Sequence, residues 1–412
     1  MCRQVKEIIL KNNLKILYKH NESELTSICI SLNAGAALEE NKLGVAHAVE
    51  HMVYKGTGKR SEAQINEELS SIFGFQNAMT NYPYVIYYGT LLSEDIEKGI
   101  ELFSDILLNP KFDETGFIEE MEIIKEELEE WDEEVEQFCE DKLFYNIFNN
   151  RRIKYPIIGT IDSLNKINIK DVRDFYSENY FPENTSIAIV SSIEFDKVVR
   201  IISKYFEKWK SKNKMKKSKI NSVNYEVIDK NEILFKKRDG VKNARVQMIF
   251  PLNQLDYEEL NAFKIFNMYF GEGVNSILFD TLRTKNSLVY DVITKISYEK
   301  YLKMYKITFT TSKENVHKAI ELVKNLINNI NSKDIIINDI ELKKLIKSYK
   351  LKKLFREEQS IIVAKELATY DTMFSDFNFY SEELNIIDNI KPEEVLNSAK
   401  KVLKSSAVQV IW

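Results

Sequence analysis

IEKGIEL (Ile96–Leu102) and VHKAIEL (Val316–Leu322) are near-copies of one another, 220 positions apart. Each follows a β-rich run, VIYYGTLL (85–92) before the first and MYKITFTT (304–311) before the second. A second pair, INIKDV (167–172) and IKPEEV (390–395), recurs in the same order at an offset of 223. Each member precedes an amphipathic stretch and then a terminal β-run, TSIAIVSS (185–192) or SAVQVIW (406–412). Order, spacing and element type agree, and a period this long indicates two duplicated domains, not a solenoid.

Working outward, Lys208–Ser222 (KWKSKNKMKKSKINS) is basic and poor in large apolar residues, which reads as a solvated linker. The expected organisation is residues 1–207, a basic linker over 208–228, and a homologous second domain over 229–412. Within each half, β-runs such as IILKNNLKILYK (8–19) and LTSICISLNAG (25–35) come first, then helices, more β-runs, more helices and a last strand. Strands do not alternate with single helices, so a doubly wound parallel sheet is disfavoured. The pattern predicts an α+β fold, each half a largely antiparallel sheet packed with helices.

Length and composition set bounds on function. A chain of 412 residues is longer than one typical core. Hydrophobic residues at 44% and charged residues at 29% give an ordinary globular balance. The net charge of −5 provides no basic field, so nucleic acid is not expected as a partner. No stretch approaches the roughly 18 apolar residues that span a bilayer, so no membrane partner is expected either. Cys2, Cys29 and Cys139 are too few and scattered for a disulfide framework or a cysteine-based metal site. The start reaches charged residues at once, without an apolar core of signal-peptide length. The expected location is the cytoplasm.

The chemistry concentrates in GVAHAVEHMVYKGT (44–57), which begins as a helix and contains His47-Ala-Val-Glu50-His51. Residues four apart on a helix lie on one face about one turn apart, so the two imidazoles can hold one ion. Glu50 sits beside that face and can take a proton from a water polarised there. This is the inverse of the better-known order, in which the acid directly follows the first histidine. A histidine pair at this spacing is often plain packing. The chain has four histidines, however, and two of them fall in one motif with the acid. His20 and His317 have no such company and read as structural or solvated.

A catalytic zinc needs a third protein ligand and an open position. Glu119–Glu136 (EEMEIIKEELEEWDEEVE) is the nearest acidic supply, and most of its carboxylates coat a solvated helix face. Spacing alone does not choose among Glu120, Glu126, Glu127 and Glu130. Glu120 and Glu127, seven apart, share a face around which Ile123 and Ile124 also lie, which makes them the better inward-facing pair. A carboxylate buried beside two imidazoles is tolerable only where a cation neutralises it.

The stretch HAVEHMVYKGT, followed 76 positions after His51 by Glu127 within EMEIIKEEL, resembles the inverzincin zinc peptidases. That family includes pitrilysin, insulin-degrading enzyme and the mitochondrial processing peptidase; the chain is most similar to its short two-domain bacterial members. The resemblance implies His47, His51 and Glu127 as ligands of one zinc per chain, Glu50 as general base and Glu120 as an acid behind a ligand. GFQNAMT (74–80) resembles the sheet-edge strand that pairs with extended substrate, implicating Asn77 and Ala78. YPIIGT (155–160) resembles a loop that follows the ligand helix. FGEGVNSILFDTLRTKNSLVYDV (270–292) resembles a block carrying a substrate-contacting Arg and Tyr, here Arg283 and Tyr290. On residue type alone these two read as a surface Arg and a strand-buried Tyr.

The sequence departs from that pattern in a thinner glycine run (FGEG), in Ser287 where the family usually has Gly, and in NYPYVIYY after Thr80. The second half lacks the histidine pair. The family resemblance implies a metalloendopeptidase acting on peptides within a clamshell of four domains. Two copies of this chain would supply four, so a homodimer with sites completed in trans by Arg283 and Tyr290 is expected. The alternative is a non-catalytic or heterodimer partner subunit of a processing-peptidase-like complex.

Overall fold

A computed structural model describes residues 4–149, 152–210, 232–332 and 335–412. Most of the expected basic linker therefore lies outside the described residues. The chain divides into two compact units. The first holds the described residues of Met1–Glu129, Tyr155–Ser222 and Arg356–Ser381; the second holds those of Glu130–Lys154, Val223–Phe355 and Glu382–Trp412. Contiguous halves split at 208–228 do not coincide with these units, because a helical segment of each half belongs to the other unit.

The first unit is built on a six-stranded sheet in the order β1-β2-β6-β3-β5-β4. Its strands are β1 (Lys6–Ile9), β2 (Lys15–His20), β3 (Leu25–Leu32), β4 (Phe73–Thr80), β5 (Val85–Leu92) and β6 (Thr185–Ser191). The second unit carries a five-stranded sheet in the order β7-β11-β8-β10-β9. These strands are β7 (Ile233–Lys236), β8 (Ala244–Pro251), β9 (Val289–Tyr298), β10 (Lys303–Thr311) and β11 (Ala407–Ile411). Each sheet has one parallel pairing, β2 with β6 and β7 with β11, and is otherwise antiparallel. Leaving β1 aside, the two orders correspond strand for strand, as duplication requires. The fold is α+β, as the sequence pattern indicates.

The run 8–19 is two strands, not one. The chain reverses at Asn13, which takes a left-handed φ of 66° that asparagine tolerates. In β3 both faces are buried, Ile28 and Ile30 on one and Cys29 on the other. Such a strand needs cover on both sides. The helix Ser360–Phe374 covers one face, with Val363, Ala364, Leu367 and Ala368 packed on Leu17, Cys29, Ile86 and Ala188.

Both duplicated segments form helices in equivalent places. IEKGIEL opens the helix Ile96–Leu108 after β5, and VHKAIEL opens Val316–Asn331 after β10. In the second unit, Val135–Ile147 lies on β11, where Cys139 Sγ meets Gln409 O at 3.6 Å and Asn146 Nδ2 donates to Gln409 Oε1 at 2.9 Å. Among the described residues no helix is long and apolar enough to cross a membrane.

Candidate metal centre

The histidine motif lies on α1 (Val45–Met52), a helix of only eight residues. So short a helix is marginal by itself and must be held by its surroundings. Glu39, buried, accepts from the N–H groups of Gly44 (3.0 Å) and Ala46 (2.9 Å), placing a carboxylate on the positive end of α1. Gly44 takes φ +94°, and a Cβ there would stand 2.5 Å from Ile158 O. The YPIIGT loop thus fits under the start of α1, with Ser163 Oγ donating to Leu43 O at 2.8 Å. A turn after α1 leads to α2 (Glu62–Ile72), which Ser61 caps with Gln64 in a reciprocal box.

The four-residue spacing brings the rings of His47 and His51 to 4.6 Å between centroids. The facing helix, α3 (Glu114–Glu133), supplies the carboxylates. Glu127 Oε2 lies 3.7 Å from His47 Nε2 and 3.5 Å from His51 Nε2. One ligand atom from each of the three residues falls within 4.8 Å of the others. Tetrahedral zinc ligands at ~2.0–2.1 Å stand roughly 3.4 Å apart, so this donor set fits zinc.

Glu120 is buried behind His51, with Oε2 2.8 Å from Nδ1. That bond orients the ring so that Nε2 faces Glu127. Among the described residues His47 has no such support, and its buried Nδ1 has no hydrogen-bond partner there. Of the two isoleucines expected on this stripe, Ile124 is buried but Ile123 is exposed, a correction to the sequence reading. Ile123 and Ile124 flank the Glu120–Glu127 line on opposite sides, ~100° apart around the helix axis, and only the Ile124 flank is buried.

The two histidines are pushed in opposite directions. Burial, together with neighbouring His51, lowers His47 to about 4. Burial also opposes charge on His51, but hydrogen bonds to Glu120 and Glu127 win and raise it to about 9. Contact with His51 holds Glu127 below the ordinary carboxyl range. Glu120 is also held low: burial pushes upward, and the bonds to His51 and Lys55 outweigh it.

Glu50 is buried, and Thr80 Oγ1 donates to its Oε2 at 2.5 Å. Burial raises the Glu50 carboxyl, and the bond from Thr80 opposes the rise. Lys55 Nζ spans Glu62 (2.8 Å), Glu119 (3.2 Å) and Glu120 (3.3 Å). Neither Thr80 nor Lys55 was singled out from the sequence. Lys55 stands four positions after His51, a spacing that points toward the same face; nothing in the spacing marks Thr80.

Asn77 and Ala78 lie on β4, the edge strand of the first sheet, opposite Tyr88 and Tyr87 of β5. Asn77 is exposed, and its Oδ1 accepts from Ala78 N–H at 2.8 Å. In the second unit, Arg283 stacks over the ring of Tyr290 at 4.6 Å and over Phe279 at 5.0 Å. Tyr290 is 82% exposed on β9, the strand equivalent to β4, so it is not a buried strand residue. Ser287 adopts φ +51°, which accounts for the family's preference for glycine there. His20 bonds Tyr18 at 3.0 Å, and the His317 ring packs at a tilt against Phe235.

Each unit thus has a sheet of the same topology, and the first carries a His-His-Glu cluster beside a buried acid. The chain belongs to peptidase family M16: residues 15–161 match the family described as Insulinase (Peptidase family M16), and residues 166–349 match the Peptidase M16 inactive domain. A Rickettsia felis protein named "Uncharacterized zinc protease" is 25% identical over 405 residues, 98% of this chain and 96% of that protein. The Saccharomyces cerevisiae mitochondrial-processing peptidase subunit beta is 32% identical over 200 residues, 48% of this chain and 43% of its own. A protease from Helicobacter pylori has the same fold, with a TM-score of 0.87, 19% identity and 99% of each chain covered.

Proposed function

We propose that this chain is a zinc-dependent endopeptidase, with one zinc per chain, that hydrolyses peptides or unfolded segments inside a closed chamber. The convergence of His47, His51 and Glu127 beside the buried acid Glu50 carries this reading. Zinc held by those three residues would polarise the scissile carbonyl and lower the pKa of the attacking water toward ~7. Glu50 accepts the proton of that water and returns it to the leaving amine. Glu120 keeps His51 in the ligating tautomer. Extended substrate pairs with the main chain of β4 at Asn77 and Ala78, a mode tolerant of side-chain identity.

Arg283 and Tyr290 donate to the tetrahedral oxyanion. The exposure of Tyr290, with half-buried Arg283 over its ring, supports a role toward a partner surface, and the reading includes a homodimer in which they complete the other copy's site. Cys29 and Cys139, both free and buried, are in keeping with a cytoplasmic setting.

The test is metal analysis of the purified chain together with mass spectrometry of products from a peptide library. Cleavage is expected to stop with a chelator. It should also stop in Glu50→Gln while zinc stays bound. Hydrolysis that persists in Glu50→Gln at full zinc occupancy would remove Glu50 as base. A wild-type chain that takes up no metal would return the non-catalytic or heterodimer-subunit reading.

A further inference from the structure

Glu50 is joined to the first sheet through Thr80, whose Oγ1 donates to its Oε2 in a short, buried hydrogen bond and whose backbone N–H also reaches the carboxylate. Thr80 closes β4 opposite Val85 of β5, and beyond it the chain is fixed by Asn81 N–H on Tyr84 O (2.7 Å) and by Ala36 N–H on Asn81 O (2.9 Å). A β-branched side chain on a paired strand has few χ1 choices, so this backbone sets the direction of the hydroxyl. Glu50, by contrast, has three side-chain torsions and sits on a short helix. Thr80 is the residue that holds its carboxylate, through the hydroxyl and through its own backbone N–H.

We propose that Thr80 is the positioning residue for Glu50. It commits Oε2 to the sheet, so that Oε1 is the oxygen presented to water. This rests on the assignment of Glu50 as general base. The same strand carries Asn77 and Ala78, three and two positions earlier, so substrate and base are referenced to one rigid ladder. A base that drifts by even an ångström loses much of its advantage, which is the reason for such a tether.

The experiment compares Thr80→Val, which keeps the shape and removes the donor, with Thr80→Ser, which keeps the donor. A pool of internally quenched unstructured peptides serves as substrate. In Thr80→Val, kcat falls about ten- to a hundredfold with KM and zinc per chain unchanged. Thr80→Ser restores kcat close to wild type. Crystals of Thr80→Val show the Glu50 carboxylate in more than one rotamer, where Thr80→Ser shows one. Unchanged kcat in Thr80→Val, an equal loss in Thr80→Ser, loss of zinc, or a Glu50 that stays ordered in place without the hydroxyl each overturns the proposal. Absence of hydrolysis by the wild-type chain would instead remove the peptidase reading, while the Glu50 density in the two variants still decides the orientation claim.

Discussion

Lys15 Nζ lies 2.7 Å from Asp371 Oδ1, although 356 positions separate the two residues along the chain. Ser186 Oγ donates to the other oxygen of the same buried carboxylate. One side chain thus ties β2, β6 and the helix Ser360–Phe374 together, with Thr372 Oγ1 on Ser31 Oγ at 2.8 Å as a second fastening.

Asp371→Ala should therefore loosen the cover of the first sheet. It leaves the Lys15 ammonium and the Ser186 hydroxyl without their acceptor in a largely dry setting. The expected loss is about 2–4 kcal/mol, moderated because the Lys15 side chain is 22% exposed. A lowered thermal midpoint and early proteolysis within 360–374 would register it.

Glu120→Gln removes the carboxylate that holds the His51 tautomer. Zinc affinity should fall about 10- to 100-fold, measured by competition with a chromogenic chelator. The fold should survive, since Lys55 keeps Glu62 and Glu119. Unaltered affinity would show that Glu120 serves structure alone.

Glu383 provides a pH-dependent contribution in the second unit. It is buried between Lys264 (3.1 Å) and Lys353 (2.8 Å), with Tyr349 on the same carboxylate. Burial works against its charge, yet the two lysines prevail and bring it to about 2. That is below the ordinary ~4.3 of an unfolded glutamate, so its contribution is complete above that pH and declines as pH falls toward 2. Stability worth about 2–3 kcal/mol at pH 7 should be absent in Glu383→Gln. The gap in thermal midpoint between wild type and variant should close on acidification below roughly pH 4.

A site completed in trans makes a mixing prediction. His47→Ala and Arg283→Ala chains, each inactive, should recover activity when subunits exchange, because one composite site in the mixed dimer is intact. No recovery after confirmed exchange would place both contributions within one chain.

The parts of the site carried by local spacing were legible in the sequence. His47, Glu50 and His51 lie within one helical turn, and the seven-residue step from Glu120 to Glu127 follows helical periodicity. The duplicated segments also announced two sheets of one topology. Thr80 and Glu39 were not legible, because each reaches α1 from another segment and no periodicity links them to it. The apolar stripe of Ser360–Phe374 looks the same whichever sheet it packs on, so the sequence could not assign it to the first. Tyr290 misled in a similar way: a tyrosine in a β-run reads as buried unless the strand's edge position is known.

The cover over Leu17, Cys29 and Ile86 is also the last part of the first unit to be synthesised. At ~5–20 residues per second, the ribosome needs roughly 10–40 s to travel from β6 to the end of that helix. Through that interval a nascent chain with every ligand already made presents a bare apolar flank, a target for chaperones. A chain cut short between Ser191 and Ser360 would have the whole histidine motif and no means of keeping its sheet dry.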